Sequence, residues 1–68
     1  MAIQPEQYEV LDAVLALPEK YRDVIYLHYY EGYSAAEIGR ILNRKENTVY
    51  SLLSRGRAML KETLGGDL

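Results

Sequence analysis

Ser34-Ala35-Ala36-Glu37-Ile38-Gly39-Arg40-Ile41-Leu42-Asn43-Arg44-Lys45-Glu46-Asn47-Thr48-Val49 decides the fold. Its first four residues read as a capping box: the Ser34 hydroxyl accepts from the Glu37 amide, and the Glu37 carboxylate accepts from the Ser34 amide. Tyr33 and Ile38 stand at the flanking hydrophobic-staple positions. The spacing of Ile38, Ile41 and Leu42 predicts a short helix over 34–42 with those three on its buried stripe. Asn43 tolerates the left-handed conformation that stops a helix. A turn of three or four residues around Asn43-Arg44-Lys45 then leads into a long helical pattern. Two helices joined this way form a helix-turn-helix.

Downstream, the long helix covers 46–64. At 100° per residue, Val49, Leu53, Gly56 and Leu60 share one face, flanked by Leu52, Met59 and Leu64. Asn47, Ser51, Ser54, Arg55, Ala58 and Glu62 occupy the opposite face. Gly65-Gly66 ends the helix, and Asp67-Leu68 is expected to fray. Gly56 either permits close helix packing or is tolerated at a cost of about 1 kcal/mol relative to Ala.

Upstream, Pro5 and Glu6 suit the first turn of a helix over 5–16. Tyr8, Leu11, Val14 and Leu15 are expected on its inner face, with Val10 and Leu17 at the edge. Pro18 disfavours helix in Leu17 and opens a second helix over 18–31, which Gly32 stops. Apolar residues cover most of that helix's circumference, so it is expected to be the central one. No period-2 pattern, internal repeat or low-complexity tract interrupts this reading. The prediction is a single all-α domain over 1–68: four helices, the last two a helix-turn-helix.

Composition excludes more than it selects. The 68 residues are 49% hydrophobic and 26% charged, a globular balance. With no cysteine and one histidine, disulfides, thiolate metal sites and histidine-clustered zinc sites are excluded, and no metal or cofactor is expected. No apolar run approaches the roughly 20 residues of a membrane span, and the N-terminus lacks signal-peptide character. A cytoplasmic domain is the expectation. No acid–base pair, nucleophile with a base, or metal cluster is evident, so an enzyme is not expected. Ser34 is explained by capping, and His28 by half-buried packing within an apolar helix. The seven tyrosines read as core and rim residues, only Tyr50 lying near the polar face of the last helix. Leu52 is either a core-edge residue or part of an exposed apolar contact surface.

Charge is strongly segregated. Residues 1–39 carry two basic against seven acidic side chains, whereas residues 40–61 carry six basic against Glu46 alone. A local +5 on an acidic body is an electrostatic footprint for nucleic acid, beside the plainer reading that charges merely solvate helices. The last helix fits the major groove of DNA, and Arg55 is able to make a bidentate contact to guanine. Arg40, Arg44, Lys45, Arg57 and Lys61 surround that face and suit phosphates. The free amides at the start of the third or fourth helix suit a phosphate too.

Four motifs carry a family resemblance. Leu17-Pro18-Glu19-Lys20-Tyr21-Arg22-Asp23-Val24, Tyr30-Glu31-Gly32-Tyr33-Ser34-Ala35-Ala36-Glu37-Ile38, Asn47-Thr48-Val49-Tyr50-Ser51 and Arg55-Gly56-Arg57-Ala58-Met59-Leu60 resemble region 4 of bacterial sigma factors. Within that sigma-70 family the likeness is to the extracytoplasmic-function type, and it covers about residues 17–60. It implies a four-helix DNA-binding domain that recognises the promoter −35 element and docks on the flap of RNA polymerase. It also implies that Ser51, Ser54 and Arg55 read bases. Tyr50 and Arg57, with Lys45, Asn47 and Thr48 at the helix start, would meet the DNA backbone.

Some positions depart from the family pattern. Tyr50 stands where the family commonly has Lys or Arg, and Leu52 where it commonly has Arg, which implies weaker phosphate binding. Asn43-Arg44-Lys45 replaces the usual Gly, aliphatic and Ser or Thr. Arg44 supplies no apolar plug and Lys45 no capping acceptor, so Asn47 is expected to cap and to start the helix a residue or two late.

Nothing in the sequence is suited to bind a −10 element or melt DNA, and the chain reads as an excised domain of a longer protein rather than a free-standing relative. The rival reading is a protein-interaction module, held by polymerase or an anti-sigma factor, with weak or lost DNA binding. A response-regulator-type helix-turn-helix accounts for the last two helices but less well for Leu17-Pro18 and Arg55-Gly56-Arg57.

Overall fold

The structure, a computed structural model, describes residues 5–65, with side-chain surroundings from Glu9 onward. Four helices follow one another: α1 (Pro5–Leu15), α2 (Glu19–Tyr29), α3 (Ala35–Leu42) and α4 (Glu46–Leu64). No strand occurs among the described residues. Each helix lies within two residues of the bounds its sequence predicts. Tyr8, Gly66 and Asp67-Leu68, to which the sequence assigns roles, lie outside the described side chains or residues.

The breaks between helices follow backbone chemistry. After α1 the chain tightens, with Leu17 N–H donating to the Val14 carbonyl at 3.1 Å. Pro18, extended at φ −54° and ψ 146°, stands just before α2, and its carbonyl accepts from the Tyr21 and Arg22 amides at 3.0 Å. At the far end Gly32 takes φ +79°, which turns the chain so that the Tyr33 amide donates to the Leu27 carbonyl at 3.0 Å.

One core joins all four helices. Val14 and Leu17, Val24 and Ile25, Ala35 and Ile38, and Val49, Leu52, Leu53 and Leu60 are all buried. No buried side-chain polar atom among the described residues lacks a partner. The dominant packing runs through α4, which meets each of the other three helices, α2 most extensively. This corrects the expectation that the second helix is central. Only Val24 and Ile25 of α2 are buried, while Tyr26, Tyr29 and Tyr30 lie on the surface.

Two further expectations about core faces fail for one geometric reason. Leu15 is 52% exposed and Ile41 51% exposed. The inner row is Val10 and Val14 of α1 continued by Leu17 in the turn after it, rotated one residue from the predicted row, so Leu17 is buried and Leu15 swings out. In α3, which is only eight residues long, the row Ala35, Ile38 and Leu42 meets the core and Ile41 lies beside it. Leu15 and Ile41, with Leu11, Tyr26, Leu27, Tyr30 and Leu42, line an open, largely apolar groove between α1, α2 and α3, with the Arg22–Asp23 pair on its wall.

Candidate nucleic-acid interface

The first helix of the helix-turn-helix, α3, is locked at both of its ends. The Ser34 hydroxyl accepts from the Glu37 amide at 3.1 Å, and the Ser34 amide donates to Glu37 Oε1 at 2.9 Å. The Ser34 amide, then its hydroxyl, hold the Glu37 carboxyl below its ordinary pKa, and the charge of Arg40 adds to the effect. At the other end Asn43 takes φ 56° and ψ 52°, the left-handed stop its sequence predicts. The amides of Asn43 and Arg44 both turn back onto the Gly39 carbonyl, Arg44 at 2.8 Å.

Gly39 makes this turn possible, a role the sequence reading did not assign. A Cβ there would lie 2.6 Å from the Arg44 carbonyl oxygen, so only a bare backbone lets the turn close on α3. The signal available in the sequence, which that reading passed over, is a glycine inside a strong helical pattern. Gly56 has a parallel role between helices. A Cβ on it would lie 2.9 Å from Ile25 Cγ1, so this glycine permits the close approach of α2 and α4.

The expected late start of the last helix does not occur. α4 begins at Glu46 with Lys45 before it in extended conformation, and no side chain caps it. The Lys45 carbonyl accepts from the Val49 amide at 3.1 Å, and Val49 is fully buried, so core packing fixes the first turn without Asn47. The two helix starts therefore differ. The capping box occupies the first turn of α3, whereas no side chain caps the first turn of α4, which carries the acidic Glu46.

From there α4 presents two contrasting faces. Val49, Leu53, Gly56 and Leu60 are buried, and Leu52, 7% exposed, belongs to the core edge rather than to an exposed contact surface. Asn47, Thr48, Ser51, Ser54, Arg55, Ala58 and Glu62 are all exposed. Ser51, Ser54 and Arg55 share the outward face, with Asn47 and Thr48 one turn before them. Arg40, Arg44 and Lys45 are exposed around the turn that leads into the same end of α4. Tyr50, 56% exposed, lies on the flank of that face. The single ion pair among the described residues is Arg22–Asp23 at 3.2 Å, so none of the basic side chains of residues 40–61 is neutralised by one.

Arg57 is placed differently from the rest. Its side chain is exposed, but Nη1 donates to the Tyr29 hydroxyl of α2 at 2.9 Å. The two side chains stand with Val10, Val14, Ile25, Tyr30 and Leu60 around a second groove, between α1, α2 and α4. No sequence signal links positions 28 residues apart. The other tyrosines of this segment divide between core and rim, as expected: Tyr21 packs against the core, and Tyr26 and Tyr30 are exposed. Tyr26 and Tyr30 stack on each other at 5.2 Å, and His28, half-buried, packs edge-on against Tyr29 and bonds the Tyr33 carbonyl through Nδ1 at 2.8 Å. Among the described residues no acidic or histidine cluster suited to a metal occurs, and no helix is long and apolar enough to cross a membrane.

Comparison with known proteins finds one family and one relative. The family described as Sigma-70, region 4 matches residues 7–60. The chain is 47% identical over 51 residues to the ECF RNA polymerase sigma factor SigW of Bacillus subtilis (strain 168). That alignment covers 75% of this chain and 27% of the relative, so the chain spans about a quarter of that protein's length. No solved structure matches the chain.

Proposed function

This chain belongs to the sigma-70 region 4 family, and on that premise we propose that it binds the promoter −35 element as duplex DNA, with α4 in the major groove. The observation that carries the proposal is the division of α4: its aliphatic face is anchored in the core while Ser51, Ser54 and Arg55 stand free on the other side. Arg55 supplies a bidentate donor suited to guanine, and the two serines adapt to either groove donor or acceptor. Arg40, Arg44 and Lys45, the uncapped amides of the first α4 turn, and Asn47 and Thr48 take phosphates on either side. Tyr50 contributes a hydroxyl and no charge. Arg57 reaches the backbone from the flank.

Polymerase docking is the second part of the proposal. The groove rimmed by Leu15 and Ile41 is open and largely apolar, with the charged pair Arg22 and Asp23 on its wall, which suits a helix of a partner protein. The same groove favours a second reading, in which polymerase or anti-sigma binding is the main activity and DNA contact is weak.

The discriminating experiment is binding of the chain to −35-type and scrambled duplexes at about 50 and 200 mM salt. The expected result is an affinity of about micromolar or weaker, a preference for the −35 duplex, and a fall of about 0.9 in log affinity per log salt for each phosphate contacted. Equal affinity for both duplexes, unchanged in Arg55→Ala, favours the interaction-module reading.

A further inference from the structure

We propose that Tyr29, on α2 and outside the helix-turn-helix, is a positioning residue for DNA binding: its hydroxyl aims the Arg57 guanidinium at the phosphate backbone. This rests on the DNA-binding reading above. Three observations carry it. First, the Arg57 Nη1 to Tyr29 hydroxyl bond is 2.9 Å long and bridges two helices 28 residues apart in sequence. Second, Tyr29 is itself held, its ring edge-on to His28 at a centroid distance of 4.8 Å, while His28 is tied to the Tyr33 carbonyl at 2.8 Å. Third, both partners remain exposed on the rim of the groove between α1, α2 and α4, so the pair is open to solvent and does not close a buried contact.

Guanidinium chemistry connects these observations to a phosphate. Arginine carries five N–H donors in a planar fork, and Tyr29 takes one of them. The others stay free for an anion, and a phosphate accepts from two in parallel. An unrestrained arginine on a helix surface samples many rotamers, most of them unproductive. A hydroxyl that fixes the fork removes that disorder before DNA arrives. The position matters because Tyr50, one and a half to two turns earlier on the same flank of α4, has no positive charge to offer. On that flank Arg57 and Lys61 are the cations available.

A double-mutant cycle on the 68-residue chain tests this, with DNA affinity and its salt dependence as readouts and thermal melting as the fold control. Tyr29→Phe keeps the ring and deletes only the hydroxyl. The expected result is that Arg57→Ala reduces the salt slope by about 0.9, the signature of one phosphate. Tyr29→Phe lowers affinity for −35 and scrambled duplexes alike by about 3-fold, with a smaller slope and an unchanged melt. In the Arg57→Ala background Tyr29→Phe has no further effect on DNA. An unchanged slope in Arg57→Ala overturns the proposal, since the pair is then only a fastening between α2 and α4. So does Tyr29→Phe binding as the parent does while Arg57→Ala loses a phosphate. A parent chain that binds neither duplex at low salt removes the DNA-binding reading and this inference with it.

Discussion

Gly56 lies directly against Ile25: a Cβ at position 56 would stand 2.9 Å from Ile25 Cγ1 and 3.2 Å from its Cδ1. Ile25 is 1% exposed and held in the core, so it yields only by turning toward the groove between α1, α2 and α4 that it lines. Gly56→Ala therefore sets two effects against each other. Helix propensity gains about 1 kcal/mol, while overpacking the core costs about 1–3 kcal/mol. The second effect wins, and we expect a net loss of about 1 kcal/mol, seen as a melting point lower by about 4–8 °C. Gly39→Ala is expected to cost more, about 3 kcal/mol, because its Cβ meets a backbone oxygen, that of Arg44, at 2.6 Å. Thermal melts that rank the two variants the other way contradict the packing described here.

The capping box gives the chain an acid-sensitive contact. Bonding to the Ser34 amide and hydroxyl favours the charged Glu37 carboxylate, so its folded pKa lies below its unfolded one. A group shifted down stabilises the fold above its unfolded pKa and loses that contribution as pH falls through the lowered folded value. Stability measured by urea unfolding should thus be level near neutrality and drop in the acid range, and Glu37→Gln should flatten part of that drop. Ser34→Ala removes the other half of the box, with an expected cost of about 1 kcal/mol at neutral pH. An acid limb that is identical in the parent and Glu37→Gln would remove Glu37 from the account.

The contrast between these two cases tracks what a sequence makes legible. Ser34, Glu37 and Asn43 act on backbone groups three or four residues away, so their chemistry is visible locally and the third helix ends where it was expected. The polar and aliphatic faces of α4 follow from its period alone. Leu15 and Ile41 were misplaced because periodicity fixes a helix's apolar arc, not the angle at which neighbours meet it. The late start of α4 failed similarly: a buried Val49 outweighed the missing cap at Lys45. For the interface, the exposure of Ser51, Ser54 and Arg55 followed from helix geometry. The bond between Arg57 and Tyr29 depends on how α2 crosses α4, which no spacing encodes.

At Tyr50 the chain has room for a gain of affinity. The residue is 56% exposed, so replacing it disturbs little packing. Tyr50→Lys adds a cation on the flank of the proposed DNA face and should tighten binding to every duplex alike, steepening the salt slope by about 0.9. Arg55→Ala is expected to act in the other way, costing about 1–3 kcal/mol on the −35 duplex and relaxing the preference at one base pair. The pair of variants separates charge from base reading. A Tyr50→Lys effect confined to one sequence, or an Arg55→Ala loss equal on all sequences, reverses those roles.

Leu15 and Ile41 offer the corresponding test for polymerase docking. Half of each side chain is already in water, so Leu15→Glu and Ile41→Glu forfeit little burial, and the melting temperature should change by only a few degrees. An added carboxylate in a largely apolar groove must be desolvated whenever a partner helix covers it, a cost that an exposed groove does not incur. Both variants should therefore keep the DNA affinity and salt slope of the parent while losing capture by RNA polymerase core in a pull-down or titration. The two sites stand on α1 and α3 and face one groove, so the double variant should add little once either single one has abolished docking. Undiminished polymerase binding by both variants would place docking elsewhere on the surface, whereas a parallel loss of DNA binding would mean that the groove and the α4 face are not independent.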